Sequence, residues 1–308
     1  MILCCGEALI DMLPRESHAG EPAFAPYPGG AVFNTAIALG RLGAPAGFLG
    51  GLSRDLFGRM LDDALRAAHV DPSLSPRSDR PTTLAFVTLT GGQAQYAFYD
   101  ENTALRMLTA EDLPALPGTV QALFFGGISL AGDPCDAAYA ALMEREAPAR
   151  VTMIDPNVRP GFIRDEAAYR ARVGVMMAQA DIVKLSDEDM AWFHGPGPVE
   201  DHAAALLDAG ARVVIVTEGA RGARAFAHGI AVSVPAGRTT VVDTVGAGDT
   251  FNAGVLAALA DAGALQKSAL AQIDRATLED ALRLGAAAAA VTVSRAGANP
   301  PWRHELEG

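Results

Sequence analysis

VVDTVGAGDTFNAG, Val241 to Gly254, runs from an apolar pair through a glycine turn into residues of helical period. Such a turn leaves the first peptide N–H groups of the helix without helical partners, and the helix dipole adds positive potential at the same end. Gly246, Ala247 and Gly248 then form an anion hole that needs no lysine. Asp249 follows immediately, and its charge would repel a bound phosphate unless it has a task. Accepting a proton from an attacking hydroxyl is such a task, with the N–H groups of Gly246 to Asp249 stabilising charge on a transferred phosphoryl group. The same residues also suit a plain helix start, with Asp249 as cap and the glycines as turn residues. The stretch alone admits both readings.

Upstream, short apolar runs alternate with amphipathic ones. Buried strands are expected over Met1–Cys5, Ala46–Gly50, Ala122–Phe125, Val151–Asp155, Ile182–Lys184 and Val213–Thr217. Helices are expected over Val32–Leu42, Phe57–Ala68, Cys135–Glu146, Glu166–Ala178, Asp201–Ala209, Thr250–Ala262 and Leu278–Val291. Strand and helix in repetition imply an α/β fold, a mostly parallel sheet with helices on both faces. Met12–Pro28 and Thr82–Asp100 break the rhythm: they are strand-like and more polar, as in TLAFVTL and QAQYAFYD, and predict a small half-exposed β-sheet lid over about 12–28 and 82–100. No linker or repeat divides the chain, so residues 1–308 are expected to form a single domain, with GPGPVEDH (Gly195–His202) as a surface loop.

Composition narrows the function. Half of the 308 residues are hydrophobic, and 24 basic against 36 acidic residues give a net charge of -12. That balance argues against a general nucleic-acid or anionic-membrane binder, which needs a basic footprint. Cys4, Cys5 and Cys135 fit neither a disulfide framework nor a zinc site, so a reducing cytoplasm is the simplest setting. The opening MILCCGEALIDML lacks a basic start and carries Glu7 and Asp11, unlike a signal peptide, and the alanine-rich Ala286–Ala290 reads as a packed core helix rather than a membrane span. No two histidines stand at ligand spacing, and all six are assigned to surface or loop positions.

DTVGAGDTFNAG resembles the C-terminal signature of the ribokinase-like, or PfkB, family of sugar kinases, and PGGAVFNTAIALGRLGAPAGFLGGLSRDLFGRML, Pro28 to Leu61, is similar to its N-terminal signature. Two long motifs in the right order make a specific signal. The resemblance implies a three-layer α/β/α sandwich with a β lid, and an enzyme that passes a phosphoryl group in line from ATP to a sugar hydroxyl. It implies Asp249 as catalytic base and Gly246, Ala247 and Gly248 as anion hole. A P-loop is not expected in this fold.

Further residues combine chemistry with the resemblance. Asp11 in GEALID follows the first expected strand and could accept two sugar hydroxyls, as the matching acid of the family does. Gly29 and Gly30 permit close backbone approach to a ligand, and Asn34 can donate to and accept from hydroxyls. DPNVR (Asp155–Arg159) ends a buried strand, where ligands of open α/β sheets bind; it resembles stretches of fructokinases and 2-keto-3-deoxygluconate kinases, with Arg159 facing either sugar or phosphates. KLSDED (Lys184–Asp189) stands in the place of the family's N-x-x-E motif. Lys184 is accordingly assigned to the nucleotide, and Ser186 and Asp189 to Mg²⁺, with Asp189 acting through water. VTEGARG resembles the T-x-G-x-x-G nucleotide loop, which assigns Thr217, Gly219 and Gly222 to the nucleotide, and Asn252 in the C-terminal signature joins them. SRAGA, Ser294 to Ala298, lies beside the adenine in the family. In members activated by K⁺, that segment, here Gly297, holds the ion with the one matching Asp243 and Val245.

For the acceptor, the expected pocket segments offer only Arg15, Arg106 and Arg159 as cations, which favours a neutral sugar over an anionic one. YAFYDENTALRML (Tyr96–Leu108) looks most like bacterial fructokinases, with Phe98 available to cover an apolar sugar face. D-fructose with ATP, giving fructose 6-phosphate, is therefore the leading expectation. Ribokinase and 2-keto-3-deoxygluconate kinase are the alternatives within the class, and a non-catalytic sugar-binding regulator the one outside it. Exposed lid strands would benefit from pairing, which points to a homodimer through the lid.

Overall fold

The computed structural model describes residues 1–90 and 93–306. Its strands are β1 (Ile2–Cys5), β2 (Leu9–Glu16), β3 (Pro22–Gly29), β4 (Ala46–Leu49), β5 (Leu52–Ser53), β6 (Val70–Asp71), β7 (Arg77–Ser78), β8 (Leu84–Thr90), β9 (Gln93–Tyr99), β10 (Ala122–Gly126), β11 (Val151–Asp155), β12 (Ile182–Ser186), β13 (Val213–Thr217), β14 (Ala223–Ala227) and β15 (Ile230–Val234). The helices are α1 (Ala31–Arg41), α2 (Leu56–Ala67), α3 (Cys135–Glu146), α4 (Glu166–Gln179), α5 (Asp187–His194), α6 (Val199–Asp208), α7 (Ala247–Asp261), α8 (Lys267–Leu270) and α9 (Arg275–Val293).

The main sheet has the order β15-β14-β13-β12-β11-β10-β1-β4-β6. It is parallel from β6 to β13 and antiparallel at β14 and β15. Side chains alternate along a strand, so β1 sends Ile2 and Cys4 into one core and Leu3 and Cys5 into the other. Helices α1, α2, α7 and α9 close the first core, and α3, α4, α5 and α6 close the second. Continuous apolar strands such as VVIVT suit burial on both faces. Helices α7 and α9 cross closely: a Cβ on Gly254 would stand 2.6 Å from the Gly285 Cα. In the alanine-rich run, Ala288 is fully buried but Ala287 is exposed, so only one side of that helix belongs to the core.

The lid is a separate four-stranded sheet, β3-β2-β8-β9. Its first pair of strands extends past the expected bounds, from Leu9 to Glu16 and from Pro22 to Gly29, whereas the second pair falls within them, over Leu84–Thr90 and Gln93–Tyr99. Asp11 therefore lies within a lid strand, one residue before the expected start of the lid. Gly91 and Gly92, part of the expected lid, lie outside the described residues. Register places Asp11 opposite Tyr27 and Ala85, and Ala85 opposite Phe98, so Asp11 and Phe98 share one face of the lid.

Some elements differ from expectation for local reasons. Asp187–His194 is a helix, because Ser186 caps it through the Asp189 N–H at 2.9 Å and three acids occupy its first turn, complementing the dipole. The supposed loop Gly195–His202 is already helical from Val199, where Glu200 and Asp201 fill the first turn. As a result His194 and His202 come from adjoining helices and stack, their ring centroids 5.4 Å apart. No described helix is long and apolar enough to cross a membrane.

Candidate active site

A cavity of about 580 Å³ opens beyond the carboxyl ends of the parallel strands, beneath the lid. Asp11 and Phe98 line it from the lid, Gly30 and Asn34 from the start of α1, Arg159 from the loop after β11, Lys184 from β12, and Gly246 to Asp249 from the entrance of α7.

The turn before α7 has the geometry that its glycines allow. Gly246 is the N-cap, left-handed at φ 77°, a conformation that favours glycine. No side chain caps the helix, which leaves its first turn open toward the cavity. Ala247 lines the cavity between the two glycines, and its N–H donates to the Thr244 carbonyl at 3.3 Å, within the turn itself. Asp249 is the third helical residue and not the cap, so the plain capping role does not apply to it.

Asp249 is 8% exposed, and its Oδ2 accepts from Asn34 Nδ2 at 2.9 Å. Thr35 donates to its backbone carbonyl at 3.2 Å, a second tie between α1 and α7. Burial pushes its carboxyl from 3.8 to about 7; the Asn34 bond and the Lys184 ammonium act in the other direction, while Asp155 and Glu7 add to the rise. A carboxylate held near neutrality is matched to proton abstraction at physiological pH.

At the lid end, burial raises Asp11 to about 6. Gly29 does not line the cavity; it stands behind Asp11, where any Cβ would overlap the carboxylate. Phe98 packs edge-on against Phe162, with centroids 4.1 Å apart, which fixes an apolar wall. Of the three cations considered for the acceptor, only Arg159 reaches the cavity. Arg106 is tied to Asp100 and to the Asp133 carbonyl, and Arg15 bonds the Tyr27 hydroxyl.

At the opposite end Lys184, 4% exposed, pairs with Asp155 Oδ2 at 2.8 Å, and Asn252 Nδ2 donates to the same oxygen at 2.7 Å. Asn252 thus lies under the cavity floor, one turn along α7 from Asp249. A Cβ at Gly248 would be 3.6 Å from Lys184 Nζ, so the ammonium lies against the glycine turn. Asp189 accepts from the Val158 N–H at 3.1 Å, which joins the KLSDED segment to DPNVR. Ser186 and Asp189 do not line the cavity itself, and neither do Thr217, Gly219 and Gly222, which form the end of β13 and the turn after it. Asp243 accepts from the Val245 and Gly297 N–H groups at 3.0 and 2.9 Å, bringing the two segments considered for K⁺ together.

Two acids gain importance that the sequence reading did not assign them. Asp155, named only as part of DPNVR, is the hub for Lys184 and Asn252. Glu7, noted only as an acid near the N-terminus, is 1% exposed and lines the cavity. Only its place directly after an apolar strand, beside a glycine, hinted at this.

A doubly covered parallel sheet with a β lid, over a cavity that joins a base-like carboxylate to a helix entrance, has the design of a sugar phosphotransferase. The chain belongs to the pfkB family of carbohydrate kinases, whose model matches residues 1–305. It is 54% identical over 285 residues to a fructokinase of Rhizobium leguminosarum bv. trifolii, covering 92% of this chain and 86% of the relative. Among solved structures it resembles a fructokinase of Xylella fastidiosa with bound ATP, at a TM-score of 0.89 and 28% identity over 99% of this chain and 97% of the other. It also resembles a fructokinase double mutant of Vibrio cholerae with bound fructose, ADP and potassium, at a TM-score of 0.82 and 26% identity over 96% and 93% of the two chains.

Proposed function

We propose that this carbohydrate kinase transfers the γ-phosphate of ATP to D-fructose, giving fructose 6-phosphate. The observation that carries the reading is the shared cavity, in which the raised carboxylate of Asp249 stands between lid residues Asp11 and Phe98 and the Lys184 ammonium. The kinship with fructokinases supports fructose, and so does the charge of the cavity: of Arg15, Arg106 and Arg159 only Arg159 reaches it, whereas an anionic acceptor is usually held by two or more cations.

In this reading the fructose hydroxyls bond Asp11 and Asn34, and Phe98 covers an apolar face of the sugar. Asp249 takes the proton from the attacking hydroxyl. The open first turn of α7 at Gly246 to Gly248 and the Lys184 ammonium stabilise the charge that develops on the migrating phosphoryl group. Arg159 reaches the same cavity and contacts the phosphates as they pass. Thr217, Gly219 and Gly222 hold the outer part of the nucleotide, while Asn252 acts through Asp155 rather than by contact.

A divalent ion, Mg²⁺ in our reading, would neutralise the ATP phosphates. Asp189, Ser186 and the buried Oδ1 of Asp155, which has no hydrogen-bond partner, fit an ion that keeps most of its waters. The tie of Asp243 to Val245 and Gly297 fits a K⁺ site between those segments. The buried free thiols of Cys4, Cys5 and Cys135 suit a cytoplasmic enzyme. Phe24, Phe86 and Tyr99 form an aromatic row on the lid, with Phe24 and Tyr99 exposed, that a second copy of the chain would cover in a lid-to-lid dimer.

A panel of sugars with ATP and Mg²⁺, read by ADP release and product regiochemistry, tests the proposal. Turnover with fructose alone among fructose, ribose and 2-keto-3-deoxygluconate is the expected result. Turnover with either of the other two, or with none, replaces it with ribokinase, 2-keto-3-deoxygluconate kinase or a sugar-binding regulator.

A further inference from the structure

Glu7 sits between β1 and β2, buried and lining the cavity, and beyond its field at Asp249 it has no role in the chemistry above. Its Oε1 accepts from the N–H groups of Ala31 at 2.9 Å and Val32 at 3.4 Å, and its backbone carbonyl accepts from Phe33 at 3.1 Å. These are the first three N–H groups of α1. Gly30, the N-cap of that helix, has no side chain to serve them, so Glu7 caps the helix from 24 residues upstream. The other carboxylate oxygen, Oε2, accepts from the Ser129 N–H at 3.3 Å, in the turn that follows β10.

One side chain therefore joins two walls of the cavity: Gly30 and Ala31 on one side, Gly127 and Ile128 on the other. Both walls are shaped around it. Gly127 is left-handed at φ 69°, and a Cβ there would overlap the Glu7 carboxylate; a Cβ on Gly30, at φ 109°, would stand 3.0 Å from both its Cγ and its carbonyl oxygen. The α1 wall continues one turn on to Asn34, which holds Asp249.

We infer that Glu7 is a positioning residue for the phosphoryl acceptor, whose carboxylate sets the separation of the two walls between which the sugar lies. The inference rests on the reading of this cavity as a sugar kinase site. A carboxylate can accept from both sides at once, whereas an amide of the same shape can accept only from one. Glu7→Gln thus breaks the brace while preserving the packing. Lys184, at the phosphate end, is held by Asp155 and not by Glu7.

Steady-state kinetics of the wild type and Glu7→Gln, with fructose and ATP varied in turn, test this. The expected result is a fructose KM raised about ten- to a hundredfold by misplacement of the acceptor, with the KM for ATP changed less than about twofold. An unchanged fructose KM, or equal rises for both substrates, overturns the inference. Should Glu7→Gln not fold, Gly127→Ala, which intrudes on the same carboxylate from the facing wall, is read by the same two constants. The parallel wild-type assay keeps the readings apart: if the wild type ignores fructose, the proposed function fails there, and the comparison is made with the sugar it does phosphorylate.

Discussion

Asn34 on α1 donates from Nδ2 to Asp249 Oδ2 on α7 across 2.9 Å, linking residues 215 apart in sequence. The bond favours the charged carboxylate, against the burial that drives its pKa to about 7. Asp155 from β11 and Lys184 from β12 act on the same carboxyl in opposite senses, as does Glu7 alongside Asp155. For the wild type, kcat should rise with pH through about 7 as Asp249 loses its proton. In Asn34→Ala the stabilising bond is gone, the pKa moves up, and the rise should shift to higher pH. A pH–rate profile of both proteins checks this, and an acid limb that stays put in the variant refutes the coupling.

Asp249→Asn removes the proposed base but keeps the shape. We expect kcat to fall by about 10² to 10⁴, the range for a positioned general base, with the KM for ATP little changed. Wild-type turnover in this variant would take the proton-accepting role away from Asp249.

The same substitution should make the protein more stable. A carboxyl whose pKa rises from 3.8 to about 7 on folding holds a proton in the native state that the unfolded chain has released. Wild-type stability therefore falls as pH climbs through that window. Asp249→Asn lacks this loss, so its advantage, on the order of 1–3 kcal/mol, should appear above pH 7 and vanish near pH 4. Denaturant melts at the two pH values measure it; an advantage that is equal at both would contradict the linkage.

Asp155→Ala leaves the Lys184 ammonium buried without its carboxylate and should cost about 3–5 kcal/mol. The double variant Asp155→Ala/Lys184→Met removes both charges and should regain most of that stability without regaining activity. Urea unfolding of the three proteins, scored against activity, separates the structural share of the pair from its proposed role at the phosphates.

Gly29→Ala places a methyl group where the Asp11 carboxylate now lies. The acid must swing away, so the fructose KM should rise by about tenfold or more, while the ATP KM holds. Equal effects on both constants would show that the glycine serves the fold at large rather than the lid acid.

Most of the architecture could be read from period and punctuation. VTMID and VVIVT match their strands end to end, because continuous apolar runs are what a doubly covered parallel sheet requires. Helix α5 escaped notice because its signal is a serine cap and a cluster of acids, not an apolar stripe. The hairpin of β14 and β15 was hidden for a related reason: short strands at the sheet edge carry little pattern. At the site, residues with a strong local signature, such as Gly246 and Asp249, could be picked out singly. Asp155 and Glu7 could not, since what distinguishes them is the set of partners they meet from distant parts of the chain, through bonds that span 97 and 122 residues.

The crossing of α7 over α9 bears on the chemistry as well as on the core. Bare backbone meets bare backbone where Gly254 lies on Gly285, a little over one turn beyond Asp249 on the same helix. The pair acts as a shim of zero thickness. A methyl group on either glycine would tilt the rod that bears Asp249 and move its carboxylate from the place proposed for proton transfer, so a lesion outside the cavity would register as lost turnover.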